Sequence, residues 1–381
     1  MKKIDGLQGL RAVAFIAIFI SHTSVGNYSK LGAWGVSIFL VLSGFVMVYS
    51  YWNKRELISL MPKDVIGFAW NKIKKLYPLH IVMMLSCILI ALYDVFIIHV
   101  LTIRKLIVDV VLHTFLLQIW IPDSTYYMTL NGVSWYLCVC VLLYLVFPFA
   151  LKILSECDKK NGIRRILIAL AGLGFIQLLI AFIAYRYGGQ NWNDPWSMQW
   201  ITYYCPVSRL VDFLIGCSVG YLFVRKDDFL LALREMIPDK KGIARFHTST
   251  QVTAIINVFS VVHMMLILYL WHSVIGGGLS VGYDWIKYTL IFTPSTIITI
   301  LLACSSRGFF NEVLSSRFLV HIGNISGYAF LIHKTVIKYC EFVLNHIGFS
   351  SDVLIAMVAV VITVIAVYLW KAITEKIRLK L

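Results

Sequence analysis

The chain has 381 residues, of which 60% are hydrophobic and 14% are charged. Its mean hydropathy of +0.81 excludes a soluble globular fold, because too few polar side chains remain to cover a water-exposed surface. The net charge is +15, but the basic residues fall mostly in alternate loops between apolar segments, which is the positive-inside pattern of membrane proteins. We therefore expect an all-α, polytopic membrane protein that binds no nucleic acid.

Apolar stretches of about 20 residues recur along the whole sequence, and this is the length that an α-helix needs to cross a bilayer. We predict a single membrane domain over residues 1–381, with no appended soluble domain. With ten spans, the basic loops fall on one side and both termini are cytoplasmic. The predicted spans cover residues 7–27, 33–52, 77–100, 132–152, 163–186, 202–224, 251–273, 285–304, 320–345 and 352–372.

The segment 101–131 is apolar but short, since its longest apolar run has about 16 residues where about 20 are needed. If it crossed the membrane, every later basic loop would change sides. We therefore predict a re-entrant or interfacial helix on the outer side.

The first span contains two polar residues that are costly to place in a bilayer. Arg11 and His22 are eleven residues apart, which is close to three helical turns, so both side chains share one face and lie about 16 Å apart along the axis. A charge within a span costs roughly 2.5–3.5 kcal/mol and usually serves a function. The pair predicts a reaction site inside the membrane, with His22 as the titratable base.

The second span opens with GVSIFLVLSGF (35–45). Gly35 and Gly44 allow either close packing of helices or the approach of a cofactor to the backbone. Ser43 can hydrogen-bond a neighbouring group and is a candidate contact for a cofactor.

A basic cluster precedes the third span, in WNKIKKLYPLH (70–80). Lys72 and Lys75 are three residues apart and share a helix face, and Lys74 lies beside them. Such a cluster at the cytoplasmic mouth suits a polyanionic ligand such as a nucleotide phosphate. The same charges fit an ordinary positive-inside signal or contact with anionic lipid, so the residues alone leave both readings open.

Two more candidate sites lie in the outer parts of the fourth and sixth spans. Ser134, Trp135 and Tyr136 suit an aromatic platform for a sugar ring, or a simple interfacial belt. Arg209 and Asp212 are three residues apart and can pair on one helix face. This spacing favours a structural salt bridge, with a role in lining a cavity as the alternative.

His333 belongs to a polar seam in the ninth span and is a candidate second titratable site. No HExxH, CxxC, GxSxG or P-loop motif occurs, and the eight cysteines fall mostly within or at the ends of apolar spans. We therefore expect no metal cofactor. The other members of the seam are Lys334, Lys338 and Glu341.

Taken together, these segments resemble the membrane acyltransferase-3 family. The resemblance covers nearly the whole chain, and its most specific element is the Arg–His pair of the first span, followed by LSGF. Within the family, the chain is most similar to stand-alone capsule or exopolysaccharide O-acetyltransferases. The matching segments are the first span from GLQGLRA to SH, GVSIFLVLSGF (35–45), a basic pair before LYPLH (72–80), SWYL (134–137), RLVDFLIGCSVGYL (209–222) and IGNISGYAFLIH (322–333).

The resemblance implies transfer of an acyl group, usually acetyl, from acyl-CoA to a glycan or another envelope acceptor. It implies Arg11 and His22 as the functional pair. Lys72 and Lys75 stand where the family commonly has Arg-x-x-Arg, a departure that keeps the charge but loses bidentate geometry. Further departures are Gly327 and Phe330, where many members have tyrosine, and Cys140, where others often have glutamate.

We expect acetyl-CoA to bind from the cytoplasm, with its phosphates at Lys72, Lys74 and Lys75 and with Arg11 further in. His22 would act on a sugar hydroxyl as a general base or would carry the acyl group as an acyl-imidazole. The candidate acceptor contacts are Ser134, Trp135, Tyr136, Arg209, Asp212 and His333.

The expected partners are a glycan or lipid-linked glycan and membrane lipid, in a bacterial cytoplasmic (inner) membrane, and homo-oligomerisation is left open. The rival class is a transporter that exports a glycan or lipid-linked precursor without chemistry, because charges within a membrane also mark transport pathways.

Overall fold

The computed structural model describes residues 3–23, 25, 30–228, 249–275, 291–305, 307–349 and 351–378. Within these ranges the regular elements are helices, and β-type pairing is confined to an isolated bridge between Gly189 and Ser197. The prediction of an all-α, polytopic membrane protein is confirmed. The α-helices are α1 (Asp5–Ser21), α2 (Lys30–Tyr51), α3 (Pro62–Ile73), α4 (Tyr77–Tyr93), α5 (Ile103–Thr114), α6 (Ser124–Tyr127), α7 (Trp135–Asp158), α8 (Gly162–Tyr187), α9 (Pro206–Val224), α10 (Ser249–Ile275), α11 (Thr293–Ala303), α12 (Phe309–Leu314), α13 (Arg317–His346) and α14 (Asp352–Arg378).

Six helical stretches in the described ranges are long and apolar enough to cross a membrane. Helix α1, with 17 residues, and helix α13, with its polar seam, are not among the six, although both lie where spans were predicted. The predicted span 285–304 begins outside the described residues, and most of the basic loop 225–245 also lies outside them. The count of ten spans stays a prediction. The six stretches are Leu31–Leu57, Tyr77–Ile98, Gly132–Asp158, Gly162–Tyr187, Pro206–Val224 and Asp352–Lys376.

The predicted span 202–224 is interrupted near its N-terminal end. A π-helical turn covers Trp200–Tyr204, and α9 begins only at Pro206. Proline lacks an N–H and suits the first helical position, where that group would have no partner. Ser208 donates a hydrogen bond from Oγ to the Ile201 carbonyl at 2.6 Å, which ties the turn to α9.

The segment 101–131 folds as short helices. Its longest element, α5, has 12 residues and is therefore about 18 Å long, whereas the hydrocarbon core is about 30 Å thick. Thr102 caps α5, because its side-chain oxygen accepts a hydrogen bond from the Lys105 N–H at 3.3 Å. The Lys105 ammonium pairs with buried Asp109 and donates to the Thr125 carbonyl at 2.8 Å. These lengths favour a segment that does not cross; the side on which it lies stays a prediction.

The centre of the molecule is built on α1, which packs between α2 and α13, while α2 also packs along α9. Two glycines permit the close contact of α2 with α9. A Cβ on Gly44 would overlap the Phe213 carbonyl oxygen, and one on Gly216 would overlap the Val41 carbonyl oxygen. Of the two roles open to Gly44, the structure assigns helix packing.

Candidate active site

Helix α1 carries the two predicted polar residues into two different cavities. His22 lines a cavity of about 330 Å³, which we call the histidine cavity. Arg11 lines a cavity of about 470 Å³, which we call the basic cavity. Arg11 and His22 therefore lie about 16 Å apart along α1, and each opens into a separate cavity.

His22 lies at the C-terminal end of α1, where the helix is closed by its own hydroxyl groups. Ser21 donates from Oγ to the Ile18 carbonyl at 2.7 Å, and Thr23 donates to the Ile20 carbonyl at 2.8 Å. The Ile20 carbonyl also accepts a hydrogen bond from the Thr23 N–H at 3.1 Å, so hydroxyl and backbone donors together serve the carbonyls of the last turn. The local sequence Ser-His-Thr therefore ends the helix and fixes the backbone of His22.

His22 Nδ1 lies 2.9 Å from His333 Nε2. His333 Nδ1 lies 2.7 Å from the Phe330 carbonyl oxygen, and since a carbonyl only accepts, this nitrogen carries the proton of the neutral ring. His333 Nε2 is then an acceptor, and His22 donates to it from Nδ1. The pair leaves His22 Nε2 with a free lone pair, which is the form that a general base or a nucleophile requires.

His333 is fully buried and is held by aromatic rings. Its ring centroid lies 5.7 Å from that of Phe15, 5.9 Å from that of Phe19 and 5.8 Å from that of Phe330. It is not among the residues that line the histidine cavity. The structure therefore brings His333 to the site through His22, and its predicted direct contact with the acceptor finds no support in this geometry.

The wall of the histidine cavity is aromatic. Trp135 lies 4.9 Å from Tyr204 and 5.3 Å from Tyr203, centroid to centroid, and Trp192 lies 6.1 Å from Tyr204. Trp135 was predicted from sequence, but the other three were not. They come from the aromatic-rich stretch 192–204, which packs against Trp135 of α7. Hydrophobic periodicity does not predict this contact.

The basic cavity collects most of the predicted donor contacts. Arg11, Ser43, Lys72 and Lys75 all line it. The Lys72 ammonium lies 4.6 Å from the centre of the Tyr51 ring, a cation–π contact, whereas Lys75 is exposed to solvent.

Phe330 lines both cavities. Its ring centroid lies 5.3 Å from that of Tyr136 and 6.3 Å from that of Phe39, and both of these residues line the basic cavity. The three rings form an aromatic partition between the two cavities. Tyr136, predicted as an acceptor contact, therefore lies on the Arg11 side.

Besides His333, four predicted site residues lie outside both cavities. Lys74 is exposed at the end of α3. Ser134 is buried and accepts a hydrogen bond from Gln118 Nε2 at 3.0 Å. Arg209 and Asp212 form a buried ion pair of 2.8 Å, which matches the structural role that their spacing favoured. Across the described ranges, no three His, Cys, Asp or Glu side chains cluster closely enough to hold a metal ion.

Comparison with known proteins places this architecture among acyltransferases. Acyltransferase MdmB of Streptomyces mycarofaciens is 26% identical over 243 residues, which cover 58% of this chain and 57% of MdmB. Peptidoglycan O-acetyltransferase OatA of Listeria monocytogenes is 27% identical over 234 residues, or 58% of this chain and 34% of that protein. O-acetyltransferase OatA of Staphylococcus aureus is 23% identical over 349 residues, or 88% of this chain and 51% of that protein.

The chain thus spans between 34% and 57% of the length of these relatives. No solved structure matches it. The sequence profile of the acyltransferase domain matches residues 4–371, which include both cavities and the His22–His333 pair. The chain therefore belongs to the acyltransferase-3 family.

Proposed function

We propose that the protein is an O-acyltransferase that moves an acyl group, acetyl in the first instance, from acyl-CoA to a hydroxyl of a cell-envelope glycan. The observation that carries the proposal is the arrangement of α1, with Arg11 in one cavity, His22 in the other and Phe330 shared by both. A donor and an acceptor can enter from opposite ends of such a site. The relatives named as O-acetyltransferases support the reaction class.

On the donor side, the basic cavity suits the phosphates of CoA. Lys72 and Lys75 supply two ammonium groups and Arg11 supplies a planar guanidinium, and cations of this kind form charge-assisted hydrogen bonds with phosphate oxygens. Arg11 donates weakly to Gln8 Oε1 at 3.4 Å. The phosphates dock at the mouth, and the pantetheine arm directs the thioester towards the aromatic partition.

On the acceptor side, His22 Nε2 is the atom that acts as base or nucleophile. In direct transfer, the sugar hydroxyl attacks the thioester carbonyl while its proton passes to Nε2. The C–S bond breaks, CoA leaves as a thiolate that takes up a proton, and an ester C–O bond remains. In the covalent route, Nε2 attacks the thioester carbonyl, the C–S bond breaks and CoA leaves as a thiolate. The sugar hydroxyl then displaces the imidazole from the acyl carbon, and its proton is taken up by the CoA thiolate. The hydrogen bond to His333 fixes the ring for either route.

The charge pattern supports an orientation in which the basic cavity opens to the cytoplasm and the histidine cavity to the outer side of a bacterial cytoplasmic membrane. In this orientation, the acceptor is a capsule, exopolysaccharide or O-antigen type of glycan, free or lipid-linked. The alternative, a transporter without chemistry, needs neither a CoA site nor a free lone pair at His22.

The test is a reaction of the purified protein with acetyl-CoA and polysaccharide extracted from a strain that lacks the gene. Transfer predicts free CoA, separated by chromatography, in equal amount to the acetyl esters found on the glycan by mass spectrometry. His22→Ala should release no CoA. Its matched control is His263→Gln, because His263 is a buried histidine that is bonded to Thr299 Oγ1 at 3.0 Å and lies away from both cavities. If wild-type protein releases no CoA with any envelope glycan, the protein is not an acyl-CoA-dependent transferase.

A further inference from the structure

The histidine cavity carries positive charge and no matching negative charge. Lys334 and Lys338 both line it, and no Asp or Glu does. Lys338 is already engaged, because its ammonium donates to the Leu130 carbonyl at 2.7 Å. The half-buried ammonium of Lys334 has no hydrogen bond or ion pair within the described part of the chain.

The nearest carboxylate on the same helix, Glu341, interacts with Lys334 electrostatically but does not pair with it. Glu341 follows it by seven residues, which is about 10 Å along the helix axis, and the two groups form no ion pair. Lys334 directly follows His333 and is close enough to His22 to interact with it electrostatically. A half-buried ammonium without a partner is costly, and such charges in membrane proteins mark ligand pathways.

Aromatic side chains line the histidine cavity together with this cation. Trp135, Trp192, Tyr203 and Tyr204 line the same cavity. Broad aromatic faces with polar edges suit the flat apolar side of a sugar ring. A cavity that combines such faces with one unpaired ammonium next to a base suits a sugar that carries its own negative charge.

We propose that the histidine cavity selects an anionic acceptor, and that Lys334 is the residue that binds its negative group. The inference rests on the proposed function and narrows it to a class of acceptor. Two sources share this chemistry: a carboxylate on the acylated sugar, and a phosphate of a lipid carrier attached to a neutral sugar. Both would place the anion at Lys334 and a hydroxyl at His22.

The test measures binding first, so that it does not depend on transfer. Quenching of tryptophan fluorescence, with Trp135 and Trp192 in the cavity wall, reports the affinity for three probes: a tetrasaccharide containing glucuronic acid, its carboxyl-reduced neutral counterpart, and a neutral sugar on a short prenyl pyrophosphate. Wild-type protein should bind one or both anionic probes at least tenfold more tightly than the neutral one. In Lys334→Gln this ratio should fall to near one, and Lys334→Arg should restore it.

Arg317→Gln is the matched comparison, because it removes a cation from an exposed position of the same helix that lies outside both cavities, and it should keep the charge preference. Equal affinity of wild-type protein for all three probes would overturn the proposal. A second measurement, transfer of acetyl groups to the uronic and neutral probes, separates it from a role in the transition state. If Lys334→Gln slows transfer to both probes by the same factor while the binding ratio is unchanged, Lys334 stabilises the developing oxyanion instead. Charge-dependent binding without any transfer would reject the proposed function and keep the anionic site.

Discussion

His22 Nδ1 and His333 Nε2 are 2.9 Å apart, although 311 residues separate them in the chain. The bond links the C-terminal end of α1 to the middle of α13. Because the Phe330 carbonyl fixes the proton on His333 Nδ1, the identity of the free nitrogen on His22 is set by the backbone of a helix near the other end of the sequence.

Replacing His22 with Ala should abolish acyl transfer, because the lone pair at Nε2 is the base or nucleophile of the proposed reaction. The loss should be on the order of 10²–10⁴-fold or more, the contribution of a positioned proton-transfer group. Acetyl ester on the glycan is the measurement, with membrane insertion and thermal unfolding as controls. Retention of more than about a tenth of wild-type transfer would be incompatible with this assignment, given that range.

His333 should act by positioning His22. His333→Phe keeps the aromatic packing but removes the acceptor, and transfer should fall by roughly 10²-fold at saturating donor, by analogy with outer groups that orient a functional histidine. His333→Gln can still offer a side-chain acceptor and should recover part of the loss. The KM for acetyl-CoA should not change in either variant, since the donor binds in the other cavity. If both variants lose activity equally, the hydrogen bond to His22 is not what matters.

The sequence predicted this site in part, for identifiable physical reasons. Charges inside apolar spans are rare enough to stand out, so Arg11, His22 and His333 were found, as were the lysines that line the basic cavity. The contact between His22 and His333 could not be predicted, because helix periodicity fixes a face but not the neighbour against which it packs. The same limit hid Trp192, Tyr203 and Tyr204, and it left the ion pair of Arg209 and Asp212 among the site candidates.

The fold was predictable to a similar degree. Apolar stretches of membrane-spanning length predicted helices such as α4 and α8. The sequence did not predict the break between Trp200–Tyr204 and Pro206, because a continuous apolar run predicts one continuous span even where a proline starts a new helix. The role of Gly44 needed the partner helix, since only the Phe213 carbonyl shows why a side chain is excluded there.

Lys75 should contribute more to donor binding than Lys72. Lys75 is exposed and has no described partner. Lys72 would have to leave the face of the Tyr51 ring, or divide its contacts between that ring and the phosphate. Loss of a charge-assisted hydrogen bond costs roughly 1.5–3 kcal/mol, or about 10- to 150-fold in Kd, and exposure of Lys75 puts the expected effect at the low end.

The affinity for acetyl-CoA should be measured by calorimetry on Lys75→Ala, Lys72→Ala and the control Lys63→Ala. Lys63 is exposed on α3, the helix that carries Lys72, and lies outside the basic cavity. Lys75→Arg should bind at least as tightly as wild type, because a guanidinium can make bidentate contacts with phosphate. Unchanged affinity in both alanine variants would return these lysines to the role of a topology signal.

Phe330→Ala should relax selection for a short acyl group. Phe330 separates the cavities together with Tyr136 and Phe39, so its removal opens space where the acyl chain passes. The ratio of kcat/KM for butyryl-CoA to that for acetyl-CoA should rise about tenfold or more, within the range for added methylene groups in an apolar pocket. Phe318→Ala is the control, since Phe318 lies on the same helix and is 72% exposed. An unchanged ratio in Phe330→Ala would mean that the thioester does not pass this ring.

The segment 101–131 should not cross the membrane, so the loop before Trp200 should be external and the connections after α2 and α7 cytoplasmic. Basic residues are retained on the cytoplasmic side, and a crossing here would move later basic loops outside. Single cysteines at Asn191, Asn53 and Lys160, all at exposed positions, can decide it on a background without the eight native cysteines. An impermeant thiol reagent should label position 191 in intact cells and positions 53 and 160 only after permeabilisation. Label at position 160 in intact cells would place a crossing between residues 53 and 160 other than the two predicted, and the histidine cavity would no longer lie on the side opposite the CoA pool.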